Sequence, residues 1–91
     1  MPVAELPVAV IGAGWMGHVH ARAYARVVQH WPDLPLRPRV VAVAEAVPSA
    51  AHAFAAAHGD VAVHEDWRAV LADPAIAAIS VTAPNVLHRE I

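Results

Sequence analysis

The sequence predicts an α/β fold, a doubly wound parallel sheet with strand order 3-2-1-4, and three observations carry that expectation. The apolar run Val8-Ala9-Val10-Ile11 breaks into glycines at the spacing G-x-G-x-x-G, Gly12, Gly14 and Gly17, and leads into an amphipathic stretch. Short apolar runs then alternate with helical stretches to the end of the chain, the signature of parallel strands joined by right-handed crossovers. The second of these runs closes on an acid, Glu45.

Met1 to Leu6 reads as a short leader, and Pro7 suits the first position of a strand running to Ile11, where a missing donor is harmless. A helix opens at Gly14 or Trp15. Met16, Val19, Ala23, Val27 and Trp31 recur every three to four residues and predict the face turned to the sheet, with Trp31-Pro32 ending the helix. Pro32, Pro35 and Pro38 fix their own φ and bias their predecessors to extended geometry, so residues 32–38 read as a rigid connector. The second strand spans Arg39 to Ala44, its valines fitting a strand covered on both faces.

Pro48 suits the first turn of a second helix, Ser49 to His58, with Gly59 as its stop. Val61 to Val63 is a brief third strand. Glu65 and Asp66 put acid at the start of a third helix carrying Trp67, Val70 and Leu71, which Asp73-Pro74 ends. Ala77 to Thr82 is the fourth strand, and Asn85 is the expected N-cap of a last helical turn, making His88 its third residue. Met1 reads as a start and Ile91 falls inside that helix, so residues 1–91 are expected to be part of a nucleotide-binding domain. An unpartnered fourth strand predicts marginal stability in isolation.

Ninety-one residues allow one thin core. A 58% hydrophobic content argues against disorder, and no run reaches the roughly 18 apolar residues of a membrane span. With no such span and no basic-apolar leader, the cytoplasm is the expected compartment. The net charge of -2 gives nucleic acid or an anionic membrane no basic face. All six basic residues are arginine and there is no cysteine, so neither an amine nor a thiolate is available for catalysis.

Seven histidines do not make a metal site by spacing. His18 and His20 stand about 200° apart on a helix, and His64-Glu65 lacks the second histidine that H-E-x-x-H would place at position 68, which is Arg68. His30, His52, His58 and His64 read as solvated or capping groups, and His20 as a packed, hydrogen-bonded histidine beside the apolar face of the first helix.

The chemistry gathers at the carboxyl ends of the strands, where the winding reverses. Gly12 permits a tight turn, Gly14 clears the approach of a pyrophosphate and Gly17 lets the helix pack close; the helix N-terminus then holds the anion. Glu45 stands 28 residues beyond Gly17 rather than roughly 20, an excess the proline connector explains, and its carboxylate suits a ribose diol. An acid there repels a 2′-phosphate, so NAD is favoured over NADP. The turn alone leaves FAD and S-adenosylmethionine open. Position leaves His88 evenly divided between a crevice role and an ordinary surface residue.

Ile11-Gly12-Ala13-Gly14-Trp15-Met16-Gly17 with His20, Val41 to Glu45, Leu71-Ala72-Asp73-Pro74 and Ser80-Val81-Thr82-Ala83-Pro84-Asn85-Val86-Leu87-His88 resemble the Gfo/Idh/MocA oxidoreductases over essentially the whole chain. The resemblance implies a Rossmann domain followed by a substrate domain, NAD(P) dependence, and sugars, inositols or related polyols as substrates of the complete enzyme, which could be a homo-oligomer. It also implies that Gly12, Gly14, Trp15, Met16 and Gly17 meet the pyrophosphate, Glu45 the adenosine ribose, and Thr82, Pro84, Asn85 and His88 the nicotinamide side. The family more usually has aspartate at the place of Glu45. Its next motif, Glu-Lys-Pro, is absent, so no catalytic residue is assigned and residues 1–91 are expected to be catalytically incomplete alone. The rival is a non-catalytic Rossmann module that binds an adenine dinucleotide or a partner chain.

Overall fold

A computed structural model describes residues 4–91. Strand β1 (Ala4–Ile11) lies at the centre of a parallel sheet ordered β3-β2-β1-β4, flanked by β2 (Leu36–Ala44) and β4 (Ala78–Val81), with β3 (Ala62–His64) beyond β2. Helices α1 (Trp15–His30), α2 (Pro48–His58), α3 (Trp67–Ala72) and α4 (Asn85–His88) alternate with the strands. The order matches the one predicted from the alternation of elements.

Two core clusters sit on the two faces of the sheet. Val10, Val43 and Phe54 pack with Ala13 and Ala21 under α1 and α2, while Ala9, Ile11, Ala42 and Ala44 pack with Val70 of α3. The alternation of Ala9 and Ile11 with Val10 is the period-two pattern of a strand buried on both sides.

Both central strands are longer than their patterning predicts. Ala4 to Leu6, read as leader, already belong to β1, and residues 1–3 of that leader lie outside the described residues. Leu36 to Pro38, read as connector, pair with them in β2, Ala4 against Leu36 and Leu6 against Pro38. The prolines are tolerated because β3 pairs with β2 only at Ala42–Ala44, leaving the outer side of β2 unpaired at Pro38. Strand β3 sits one residue later than expected and β4 loses a residue at each end.

The predicted sheet face of α1 is wrong. Met16, Ala23 and Trp31 are exposed, and the helix instead buries Gly17 and Ala21, four residues apart, with Tyr24 half-buried on the same side. Small residues let the helix axis approach the sheet, so the contact is made where hydropathy is low. His20 is half-buried, and no hydrogen bond to its ring is seen among the described residues. Tyr24 Oη is 2.7 Å from Ser80 Oγ, joining α1 to β4 through a pair of hydroxyls that periodicity does not reveal.

Helix α2 begins at Pro48 and stops at Gly59, whose φ of +63° is left-handed. Asp66 caps α3, its carboxylate accepting from Arg68 N at 2.9 Å. In α4 the N-cap is Pro84, not Asn85. Asn85 is the first helical residue, without a side-chain cap bond, and His88 is the fourth.

Candidate cofactor site

At the end of β1 the chain turns on Gly12, whose φ is +100°. A Cβ there would stand 2.6 Å from Ala83 N and 2.7 Å from Thr82 O, so the backbone just past β4 leaves no room for any side chain. A Cβ at Gly17 would collide with the carbonyl oxygen of Gly12 and stand 3.2 Å from Thr82 Oγ1. Gly14 differs, since a Cβ there would meet nothing within 4 Å. The first and third glycines are therefore required by the protein itself, and the second faces open space.

Helix α1 starts immediately after Gly14 with no side-chain cap and no acid in its first turn. Its first internal bond is from His18 N to Gly14 O at 3.2 Å, so the amides of Trp15, Met16 and Gly17 precede the helical ladder. Such amides, with the positive end of the helix dipole, suit an anion. Trp15 and Met16 expose their side chains, and both are near the opening of the turn by sequence.

Glu45 follows the last residue of β2 and is held from two sides. Its Oε1 accepts from Ala13 N, inside the glycine turn, at 2.9 Å, and its Oε2 accepts from Val47 N at 3.0 Å. The Glu45 N–H in turn donates to His64 O at 2.9 Å, at the end of β3. Each carboxylate oxygen keeps a second lone pair for a ligand hydroxyl.

Thr82 ties the turn from the other side. Its hydroxyl donates to Gly12 O at 2.8 Å and Ile11 O at 3.1 Å. The resemblance-implied place of Thr82 beside a ligand is thus joined by a second one, as a clamp on the turn. Thr82→Val is expected to cost about 1–2 kcal/mol in chemical denaturation, because the shared hydroxyl proton is lost and Gly12 O, partly buried, loses this donor, while Ile11 O keeps the Thr82 N–H. Thr82→Ser should restore it, and equal stability of all three proteins would refute the clamp.

A cleft of about 280 Å3 opens beside these groups, lined on one side by Glu45, Ala46 and Val47 and on the other by Ala83, Pro84 and Leu87. Gly12, Glu45 and Pro84 thus share one cavity, whereas Gly14, Trp15, Met16, Thr82, Asn85 and His88 do not line it. Asn85 is exposed. His88 is exposed too, and its Nε2 donates to Ala83 O at 2.7 Å, which fixes the proton on that nitrogen because a carbonyl only accepts.

Sequence reasoning missed a histidine pair between the helices. His18 Nδ1 lies 2.9 Å from His58 Nε2, and both rings pack near Phe54, with centroids 5.1 and 4.4 Å away. His58 is half-buried rather than simply solvated or capping. Partial burial, then His18 and Arg22 nearby, hold its pKa below the ordinary 6.5. Between the lowered value and 6.5 the unfolded chain binds more protons than the folded one, so stability should fall as pH drops through that window. Thermal melts from pH 7.5 to 5.5 should show the loss, and His58→Gln should reduce it; an unchanged profile in the variant would dismiss His58 as its source.

An open parallel sheet with a glycine turn at its central strand, an uncapped helix start and an acid at the neighbouring strand end defines a dinucleotide-binding α/β domain. The chain belongs to the oxidoreductase family with the NAD-binding Rossmann fold, GFO_IDH_MocA, which its residues 6–91 match. It is 37% identical over 87 residues to levoglucosan dehydrogenase of Pseudarthrobacter phenanthrenivorans, covering 96% of this chain and 22% of that protein. Among solved structures, an NAD binding oxidoreductase from Klebsiella pneumoniae superposes with a TM-score of 0.85 at 40% identity, over 96% of this chain and 23% of that one. Levoglucosan dehydrogenase in complex with NADH and L-sorbose gives a TM-score of 0.90 at 36% identity, over 98% and 24%. The chain spans about a quarter of the length of these relatives. No helix among the described residues is long and apolar enough to cross a membrane.

Proposed function

We propose that residues 1–91 form the NAD-binding part of a dehydrogenase acting on a sugar, inositol or related polyol, and that the groups handling substrate and proton lie elsewhere in the complete enzyme. The observation that carries the NAD reading is the Glu45 carboxylate, bonded at once to Ala13 of the glycine turn and to Val47 beyond β2. It stands where a ribose diol would donate to it, and its charge opposes a phosphate at the same place.

The glycine turn fits the pyrophosphate because Gly14 leaves its approach open and α1 begins with unpaired amides. Thr82, through the turn, and Pro84, through the cleft wall, hold the opposite rim. Asn85 and His88 follow Pro84 in α4 and take the nicotinamide side that the family resemblance gives them, as Trp15 and Met16, opening α1, take the pyrophosphate side. Bound NAD supplies the hydride acceptor for oxidation of a substrate alcohol. Residues of this chain bind and orient it. None of them is assigned as the base for the alcohol proton: the sequence has no lysine, and His88, with Nε2 donating to Ala83, offers only Nδ1 as an acceptor.

The polyol class is supported by the relatives' names, levoglucosan dehydrogenase first among them. Calorimetric titration should find NAD bound at least about tenfold more tightly than NADP, given the repulsion between a carboxylate and a 2′-phosphate a few ångströms away. Glu45→Gln keeps an acceptor and removes the charge, so the ratio should narrow. Equal affinities for the two cofactors in the unmodified protein would refute the role of Glu45.

A further inference from the structure

Helix α4 is too short to hold itself in place. Its four residues make a single turn, with Leu87 N donating to Pro84 O at 2.9 Å, and none of them is buried. What fixes the segment lies just beyond it. Ile91 N donates to Leu87 O at 3.1 Å and the Ile91 side chain packs against the cluster of Ile11, Ala44 and Val70, while Glu90 reaches across to α3.

There it meets Arg68, whose Nη2 donates to Glu90 Oε1 at 2.8 Å. Arg68 is itself held from two other sides. Its Nη1 donates at 3.3 Å to Asp66 Oδ1, of the carboxylate that caps α3, and its guanidinium lies 4.3 Å from the ring centroid of Trp67. Trp67 packs against the same core cluster as Ile91. A lone ion pair this exposed contributes little, because ordering two long side chains offsets most of the attraction. Here Asp66 and the Trp67 ring orient the guanidinium independently of Glu90, so the pairing has one side chain left to order. The task suits arginine, whose planar fork meets two carboxylates and lies over a ring at once, as a lysine ammonium does not.

Neither Arg68 nor Glu90 lines the cleft, and the glycine turn and Glu45 are tied to each other without them. Their connection runs to the α4 end of the site alone. We infer that Arg68 is a positioning residue for the nicotinamide end of the cofactor: by holding Glu90 it docks α4 onto α3 and sets where Asn85 and His88 stand. This rests on the NAD reading above. The adenosine and pyrophosphate contacts, made from β1, β2 and the start of α1, are independent of it.

The experiment is a calorimetric titration of the protein and its Arg68→Ala variant with NAD and with ADP-ribose, which is NAD without the nicotinamide ring. Both partners of the pair are exposed, so substitution should leave the fold intact, which circular dichroism checks. The unmodified protein should bind NAD more tightly than ADP-ribose. Arg68→Ala should weaken NAD about threefold to tenfold, the value of one networked surface pair, and leave ADP-ribose within about twofold. A merely structural role would weaken both ligands alike. Glu90→Ala, which leaves Arg68 on Trp67, should reproduce the effect, and the double variant should lose no more than either single one. Equal losses for the two ligands, additive losses in the double variant, or no preference for NAD in the unmodified protein overturns the role of Arg68 while leaving NAD binding standing. Failure of NAD to bind the unmodified protein overturns both.

Discussion

Gly12→Ala is expected to remove NAD binding and most of the protein's stability margin together. The left-handed φ of +100° costs a side-chain-bearing residue about 1–2 kcal/mol, and the new methyl would press on the backbone of Thr82 and Ala83, adding about 1–3 kcal/mol. Neither neighbour can yield cheaply, since both are main chain and Thr82 N also donates to Ile11 O at 2.8 Å. The sum, about 2–5 kcal/mol, is a large share of the 5–15 kcal/mol that holds an ordinary domain together. Gly14→Ala makes the informative contrast. Its methyl meets no protein atom within 4 Å, so stability should change by less than about 1 kcal/mol. The methyl nevertheless intrudes where the pyrophosphate approaches, so NAD affinity should drop on the order of tenfold or more. Denaturant titration and calorimetry separate the two effects, and Gly14→Ala with unaltered affinity would show that the pyrophosphate does not come near that residue.

Phe54→Ala should cost about 3–5 kcal/mol in equilibrium unfolding. Phe54 is fully buried, the largest side chain in the cluster beneath α1 and α2, and its neighbours Ala13, Ala21, Val10 and Val43 are too small or too fixed to fill the space it leaves. The rings of His18 and His58 lean on it. Its loss should therefore also weaken the pH dependence assigned to His58, which a cavity elsewhere in the core would not do. Phe54→Leu, keeping most of the volume, should cost clearly less. A variant as stable as the unmodified protein would mean that α2 contributes little to the core.

Strand order was legible because alternating apolar runs and helices admit few topologies, and β1 to β4 fall where the patterning puts them to within a few residues. Glu45 was legible because a lone acid closing a buried run stands out. Its bond to Ala13 was not, because the partners are 32 residues apart and no local period records them. The face of α1 misled for a different reason. Hydropathy marks large apolar side chains, whereas this helix meets the sheet through Gly17 and Ala21, leaving Met16 and Trp31 exposed. Pro38 misled because a proline excludes only an inner position of a sheet, and pairing to β3 ends before reaching it. The Asn85 cap failed because the turn from β4 enters α4 through Pro84, one residue earlier.

The Thr82 hydroxyl reaches the glycine turn across 70 and 71 residues of chain. Those contacts give the site an order of assembly. During synthesis the turn emerges before Thr82, so its clamp is made only after the β3-α3-β4 segment has been added and folded back against β1. Closing so long a loop is slow compared with forming α1, whose bonds are all local. A nascent chain that already contains all three glycines but not yet Thr82 therefore lacks the clamp that holds the turn they form.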